Sequence, residues 1–160
     1  MDIQADRATT ALYGQFIEPA DQPPAVNDPA LRYWPDLFHF DVDGPIEVGL
    51  CVTEAREPVV RKLERHLQTP ELLVALDGDM LVPVAPPSEN GPRGLGGVQL
   101  PRNHAFVFGR GVWHGWPLPT TGGTVRYLVI FRRGTLGKDL DVRELPEPVR
   151  LELPLREGLA

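Results

Sequence analysis

Cysteine is nearly absent: Cys51 stands alone among 160 residues. No intrachain disulfide can brace the fold, and a reducing compartment, the cytoplasm, is the expectation. Positive charge is also short, with 16 Lys and Arg against 22 Asp and Glu for a formal net charge of -6. That balance excludes a chain held on nucleic acid or anionic lipid by its overall field, because both reward clustered cations. A small ligand is the expected partner. Long apolar runs are missing too. Met1 to Asp6 carry no basic segment followed by hydrophobic residues, and no stretch nears the length that crosses a bilayer, so neither export nor membrane insertion is expected. The glycines from Gly94 to Gly97 are followed by no Lys-Ser or Lys-Thr, which leaves a flexible loop in place of a phosphate cradle.

What is present in quantity is Pro, at 18, and Gly, at 16, so long helices are scarce. The length suits one domain over 1–160, with residues 1–30 as an N-terminal segment and loop and 146–160 as a C-terminal tail. An amphipathic opening up to Glu18, read as a short helix, leads into a loop from Pro19 to Pro29. Short apolar runs follow at Glu47 to Thr53, Leu72 to Leu76, Met80 to Ala85, Ala105 to Phe108 and Val125 to Phe131, broken by Gly, Pro and Asn clusters. That rhythm predicts an all-β fold. Asp77-Gly78 between two runs predicts a tight hairpin, Pro86 to Gly97 a long surface loop, and the tail from Pro146 a strap over the surface.

Chemistry concentrates in Glu64-Arg65-His66, Glu71 and, further along, Gly111-Val112-Trp113-His114. On an extended strand alternate residues share a face, so Glu64 and His66 point inward together and Glu71 and His114 can meet them. The result is a two-His, two-carboxylate pocket. Val59, Val60, Leu63 and Leu67 fit helical spacing as well as a strand, however, and on a helix residues two apart diverge by about 200°. Periodicity alone leans to the helix, which would dismantle the pocket.

His66, four residues, Glu71, six residues and Gly78 resemble the latter part of the first cupin motif, with Glu64 where that motif has its first His. Gly111-Val112-Trp113-His114 resembles the second, although Gly109 occupies a Pro position. Within cupins the chain is similar to ureidoglycolate lyase, formerly ureidoglycolate hydrolase, through Tyr13-Gly14, Arg32-Tyr33, Asp36-Leu37, Leu63-Glu64-Arg65-His66, Arg110-Gly111-Val112-Trp113-His114 and Asp141-Val142. The resemblance implies a double-stranded β-helix, the cupin or jelly-roll barrel, with Glu-Arg-His on a strand. The chain departs from it at Gly115-Trp116-Pro117, where the family commonly has a second His and then Pro, and at Glu71, often Gln. It departs again at Arg132-Arg133-Gly134, in place of Asp-Arg-Gly, and at Leu140, in place of Cys.

The resemblance implies cleavage of a carbinolamine with a carboxylate into glyoxylate and urea, which needs a base for the hydroxyl proton and an acid for the leaving nitrogen. Glu64 suits the base, and His66 or His114 the acid. A metal held by Glu64, His66, Glu71 and His114 fits the same residues, Ni or Zn ahead of Mn or Fe. Arg110 offers a planar fork for the substrate carboxylate, Lys62 a point charge on the Glu64 face, and Trp113 a flanking ring. Against these stand ordinary alternatives: a surface ion pair for Arg110, core packing for Trp113 and Trp34, an exposed strand position for Glu71. His104 reads as a solvated loop residue, His39 as the polar face of an edge strand, and Trp116 as a shaper of a different pocket. Competing functions are a metal-dependent cupin isomerase, oxygenase or decarboxylase on another small polar acid, and a cupin that only binds a ligand. By analogy with small cupins a homodimer is expected, contacting through the loop from Pro19 to Pro29.

Overall fold

Alternation of apolar and polar residues, interrupted by turn-forming clusters, builds strands almost throughout the computed structural model, which describes residues 10–19 and 21–153. In chain order these are β1 (Gly14–Phe16), β2 (Val26–Asp28), β3 (Leu31–Tyr33), β4 (Ile46–Glu54), β5 (Val59–Arg65), β6 (Glu71–Ala75) and β7 (Met80–Ala85). There follow β8 (Gly96–Leu100), β9 (Ala105–Phe108), β10 (Trp113–His114), β11 (Leu118–Pro119), β12 (Thr124–Arg132), the one-turn helix α1 (Thr135–Lys138) and β13 (Asp141–Arg150). One sheet runs β1-β9-β6-β12-β4. A second runs β11-β7-β10-β5-β13, with β8 beside β7, and β2 and β3 form a separate ribbon. From β4 onward the chain passes back and forth between the two sheets, and every strand pairing within them is antiparallel. This is the expected double-stranded β-helix. Among the described residues no helix is long and apolar enough to cross a membrane.

The core fills the space between the sheets with Leu73, Met80, Val82, Val84, Phe106, Phe108 and Val125, all 2% exposed or less. β7 is buried along its whole length, which is why Met80–Ala85 reads as a continuous apolar run and not as an alternating one. A smaller cluster of Val60, Leu63, Ala85 and Trp113 lies apart from it, closed by Leu95, Leu145 and Leu151. The edge strand β4 turns Ile46, Val48, Leu50 and Val52 outward at 44–63% exposure.

Five local expectations need correction. Residues 77–79 do not close a hairpin, because β6 and β7 belong to different sheets and the turn is a corner between them. Gly78 is there for space, since a Cβ would lie 2.5 Å from Val125 Cγ2, and it is not among the glycines with positive φ. The loop from Pro19 to Pro29 contains β2, and Gly96 and Gly97 lie in β8, so the loop before it ends earlier than expected. Residues 146–150 continue β13 against β5. The prolines at 146 and 148 have no N–H for the ladder, and the register shifts between Glu144 and Val149. At the start, the opening up to Glu18, expected as a short helix, instead contributes β1 at Gly14–Phe16 to the sheet edge; its residues 1–9 and the end of the tail lie outside the described residues.

Candidate active site

Strand β5 resolves the ambiguity left by periodicity. As a strand it sends Glu64 inward and Arg65 outward, and His66 follows inward just past its end. Arg65 stacks 4.4 Å from the Trp113 ring centroid and bonds Asp141 Oδ2 and the Ser88 carbonyl. Trp113 is wholly buried and donates Nε1–H to the same carbonyl at 3.2 Å. Its neighbour His114, one residue on, points to the opposite face and pairs in register with Glu64. Gly111, at φ 78°, makes the turn before β10, and its N–H reaches the His66 carbonyl at 2.7 Å. A left-handed residue here ties the two halves of the site together.

The imidazoles are held by backbone carbonyls. His66 donates Nδ1–H to the Asp139 carbonyl at 2.7 Å, and His114 donates Nδ1–H to that of Val112 at 3.1 Å. Each Nε2 is thereby turned inward toward the carboxylates, and His66 Nε2 is hydrogen-bonded to Glu71. Glu71 Oε2 lies 3.0 Å from His66 Nε2 and 3.4 Å from His114 Nε2, and Glu64 Oε1 lies 3.9 Å from His114 Nε2. Lone pairs and a carboxylate this close repel unless a cation sits between them, either a proton on an imidazole or a metal ion. His114 Nε2 is the buried side-chain polar atom among the described residues that lacks a hydrogen bond. Its contact with Glu71 is an ion pair too loose to satisfy it.

Donor atoms of Glu64, His66 and His114 all lie within 4.8 Å of one another. Two imidazole nitrogens and a carboxylate suit a divalent transition metal, so the residues fit an ion. Without one, the charges settle on the side chains. Burial alone would raise the Glu71 pKa, but the charge of His114 and the contacts with both imidazoles outweigh it and lower it from 4.5 to about 2. Burial alone would lower His114, yet Glu71, and after it Glu64, raise it above its ordinary 6.5. Both imidazoles are packed against aromatics: Phe108 stacks on His114 at 5.3 Å and 12°, and Phe131 meets His66 edge-on at 5.7 Å.

A cavity of ≈ 170 Å³ opens beside this centre, bordered by Arg56, Arg61, Lys62, Glu64, His114 and Trp116. Of the four site residues only Glu64 and His114 border it; His66 and Glu71 sit behind. Lys62 borders the cavity with Glu64 and His114. Arg110 does not, because its guanidinium turns away to the Asp41 carbonyl. Trp113 does not either, being on the outer side of its strand. His39 faces solvent beside Asp36, outside any strand, and His104 is an exposed loop residue. One residue carried no signal: Asp139, whose carbonyl orients His66 and whose carboxylate accepts the N–H groups of Leu67 and Gln68 at 2.9 and 2.8 Å. It lies far along the chain and works partly through its backbone, which has no side-chain signature.

A family model described as ureidoglycolate lyase matches residues 6–152. No curated protein matches the sequence. Among solved structures, the dTDP sugar isomerase from Desulfovibrio desulfuricans G20 is similar at TM-score 0.47 and 19% identity, covering 84% of this chain and 82% of that one. The S161A mutant of Bacillus subtilis oxalate decarboxylase OxdC has TM-score 0.45 and 16% identity over 64% of this chain. Procruciferin, an 11S globulin from Brassica napus, has 0.44 and 13% over 62%. The chain spans only 24% and 22% of those last two. Likenesses this distant do not bear on activity, and the fold rests on the strand order already described.

Proposed function

The chain belongs to the ureidoglycolate lyase family, and on that premise we propose that it is an enzyme cleaving the C–N bond of ureidoglycolate to release glyoxylate and urea at the Glu64, His66, Glu71 and His114 centre. The observation that carries this reading is the pairing of Glu64, the one carboxylate of the four that borders the cavity, with a buried His114 Nε2 that has carboxylates near it but no hydrogen bond of its own. Glu64 takes the carbinol proton. The O–H electrons become the second C–O bond, the C–N bond breaks with its electrons on nitrogen, and that nitrogen takes up a proton. The proton returns from Glu64 or, in the ion-free centre, from His114 Nε2–H, in which case Glu64 passes the carbinol proton on to His114, 3.9 Å away, and both residues are reset. No net proton is consumed. Glu71 and His66 do not border the cavity; Glu71 sets the charge of His114 and is itself held by His66.

Glu64, His66 and His114, with Glu71 beside them, would hold a divalent ion, Ni or Zn preferred over Mn or Fe, which when bound supplies Lewis acidity toward the substrate hydroxyl and carboxylate. The phenylalanines against the imidazoles keep water from their rear faces. Glyoxylate release from ureidoglycolate by the purified protein, beside the Glu64→Gln, His66→Ala double variant, tests the reading. Release by the wild type alone is expected, with Glu64→Gln by itself slowed about 10²–10⁴-fold as for loss of a general base. Equal background rates from both proteins would overturn it. A second reading, another small polar acid as substrate, is favoured by Trp116 at the cavity mouth.

A further inference from the structure

Three cations border the cavity of a chain whose net charge is -6. Arg56 is fully engaged by the protein itself: Nη1 donates to Thr53 Oγ1 and the Glu54 carbonyl at 2.9 and 3.3 Å, and Nη2 to the Trp116 and Pro117 carbonyls at 3.0 and 3.1 Å. Thr53 Oγ1–H bonds the Pro117 carbonyl as well, at 2.8 Å. From the other side Gly115 N–H bonds the Pro83 carbonyl at 2.8 Å, and a Cβ there would lie 3.0 Å from Leu63 Cδ2. The Gly115-Trp116-Pro117 segment is thus clamped to the barrel, and Trp116 stands at the mouth 65% exposed. Nothing in core packing requires an indole there.

Lys62, on the Glu64 face of β5, places Nζ 5.5 Å from the Trp116 ring centroid. It makes no ion pair among the described residues; Glu144, its in-register neighbour on β13, is exposed and unpaired with it. A cation over an exposed ring is weakly held compared with a charge-assisted hydrogen bond to a carboxylate, so an anion entering the cavity draws the ammonium off the indole and leaves the ring face open. We propose that Lys62 and Trp116 form the specificity element of this site, Lys62 taking the substrate carboxylate and the Trp116 face covering a planar amide or ureido group joined to it. The inference rests on reading the site as one for a small carboxylated substrate. Its distinct content is which residues read that substrate, at the segment where the chain departs from its family's pattern.

Oxamate, a carboxylate joined to a planar amide, is the probe, with affinity measured by titration calorimetry. Lys62→Met is expected to weaken binding about tenfold or more and Lys62→Arg to retain most of it, while Trp116→Leu weakens it and Trp116→Phe does not. Both side chains are exposed, so the variants should melt as the wild type does. Unchanged affinity in Lys62→Met, or no binding by the wild type, would overturn the proposal. Ureidoglycolate turnover measured in parallel separates the two readings. Turnover with an unchanged KM in Lys62→Met sinks the specificity element and spares the lyase. Oxamate binding that depends on Lys62 in a protein without turnover does the reverse.

Discussion

Replacing Glu71 with Gln removes a buried carboxylate whose charge is balanced by His114. In the ion-free protein that carboxyl is held at about 2 in place of 4.5, and at about 1.36 kcal/mol per pH step this amounts to about 3 kcal/mol of stability. The folded pKa is the lower one, so the contribution is present above 4.5 and is lost as the pH falls from 4.5 to about 2. His114 sets the other limit. Its folded pKa is raised, so the same ion pair contributes fully below 6.5 and fades as the pH climbs through the raised value. One interaction is seen from two partners, and the two effects are not added. Urea unfolding of chelator-treated protein from pH 3 to 9 should therefore show the wild type ahead of Glu71→Gln by about 3 kcal/mol near pH 5 to 6. The gap should close toward both ends. The Gln amide still donates to an Nε2 lone pair, so a constant penalty should be small. Parallel curves across the acid range would refute the charge assignment.

Three further outcomes follow. Adding Zn or Ni to the ion-free protein at pH 6 should release a proton from His114 and stabilise the fold by about 2.7 kcal/mol at a hundredfold excess over Kd, and His114→Ala should do neither; a pH-stat and a thermal melt decide it. Gly78→Ala pushes a methyl to 2.5 Å from Val125 Cγ2 at the sheet corner, and a loss of about 1–3 kcal/mol in denaturant unfolding is expected, whereas a loss within error would show that the corner relaxes freely. The homodimer expected by analogy, through the loop from Pro19 to Pro29, has an alternative apolar face in the β4 stripe; if two copies meet there, Leu50→Lys should turn a dimer into a monomer in sedimentation, and a wild type that is monomeric at high concentration contradicts this.

Much of the barrel was legible because a strand repeats every two residues: the runs from Glu47, Leu72, Met80, Ala105 and Val125 all became strands with nearly the expected limits. The same rule, applied to adjacent residues, separates Trp113 from His114 and Arg65 from its neighbours, so the outward placement of Trp113 was readable in principle. Asp77-Gly78 was not. A hairpin and a sheet corner use the same turn residues, and only the pairing partners of the flanking strands distinguish them.

By itself the sequence determined a composition of ordinary globular type, the β rhythm and, through its motif spacing, which four side chains the fold would bring together. Whether β5 was strand or helix lay beyond its local pattern, because both periods fit the same apolar residues and ladder bonds to β10 and β13 decide between them. Tertiary structure alone set which site residues face the cavity, sent Arg110 to Asp41, and brought the Asp139 carbonyl to His66. Those outcomes depend on backbone groups and strand registers distant in the chain, and a one-dimensional pattern records which side chains exist without recording what the folded backbone places beside them.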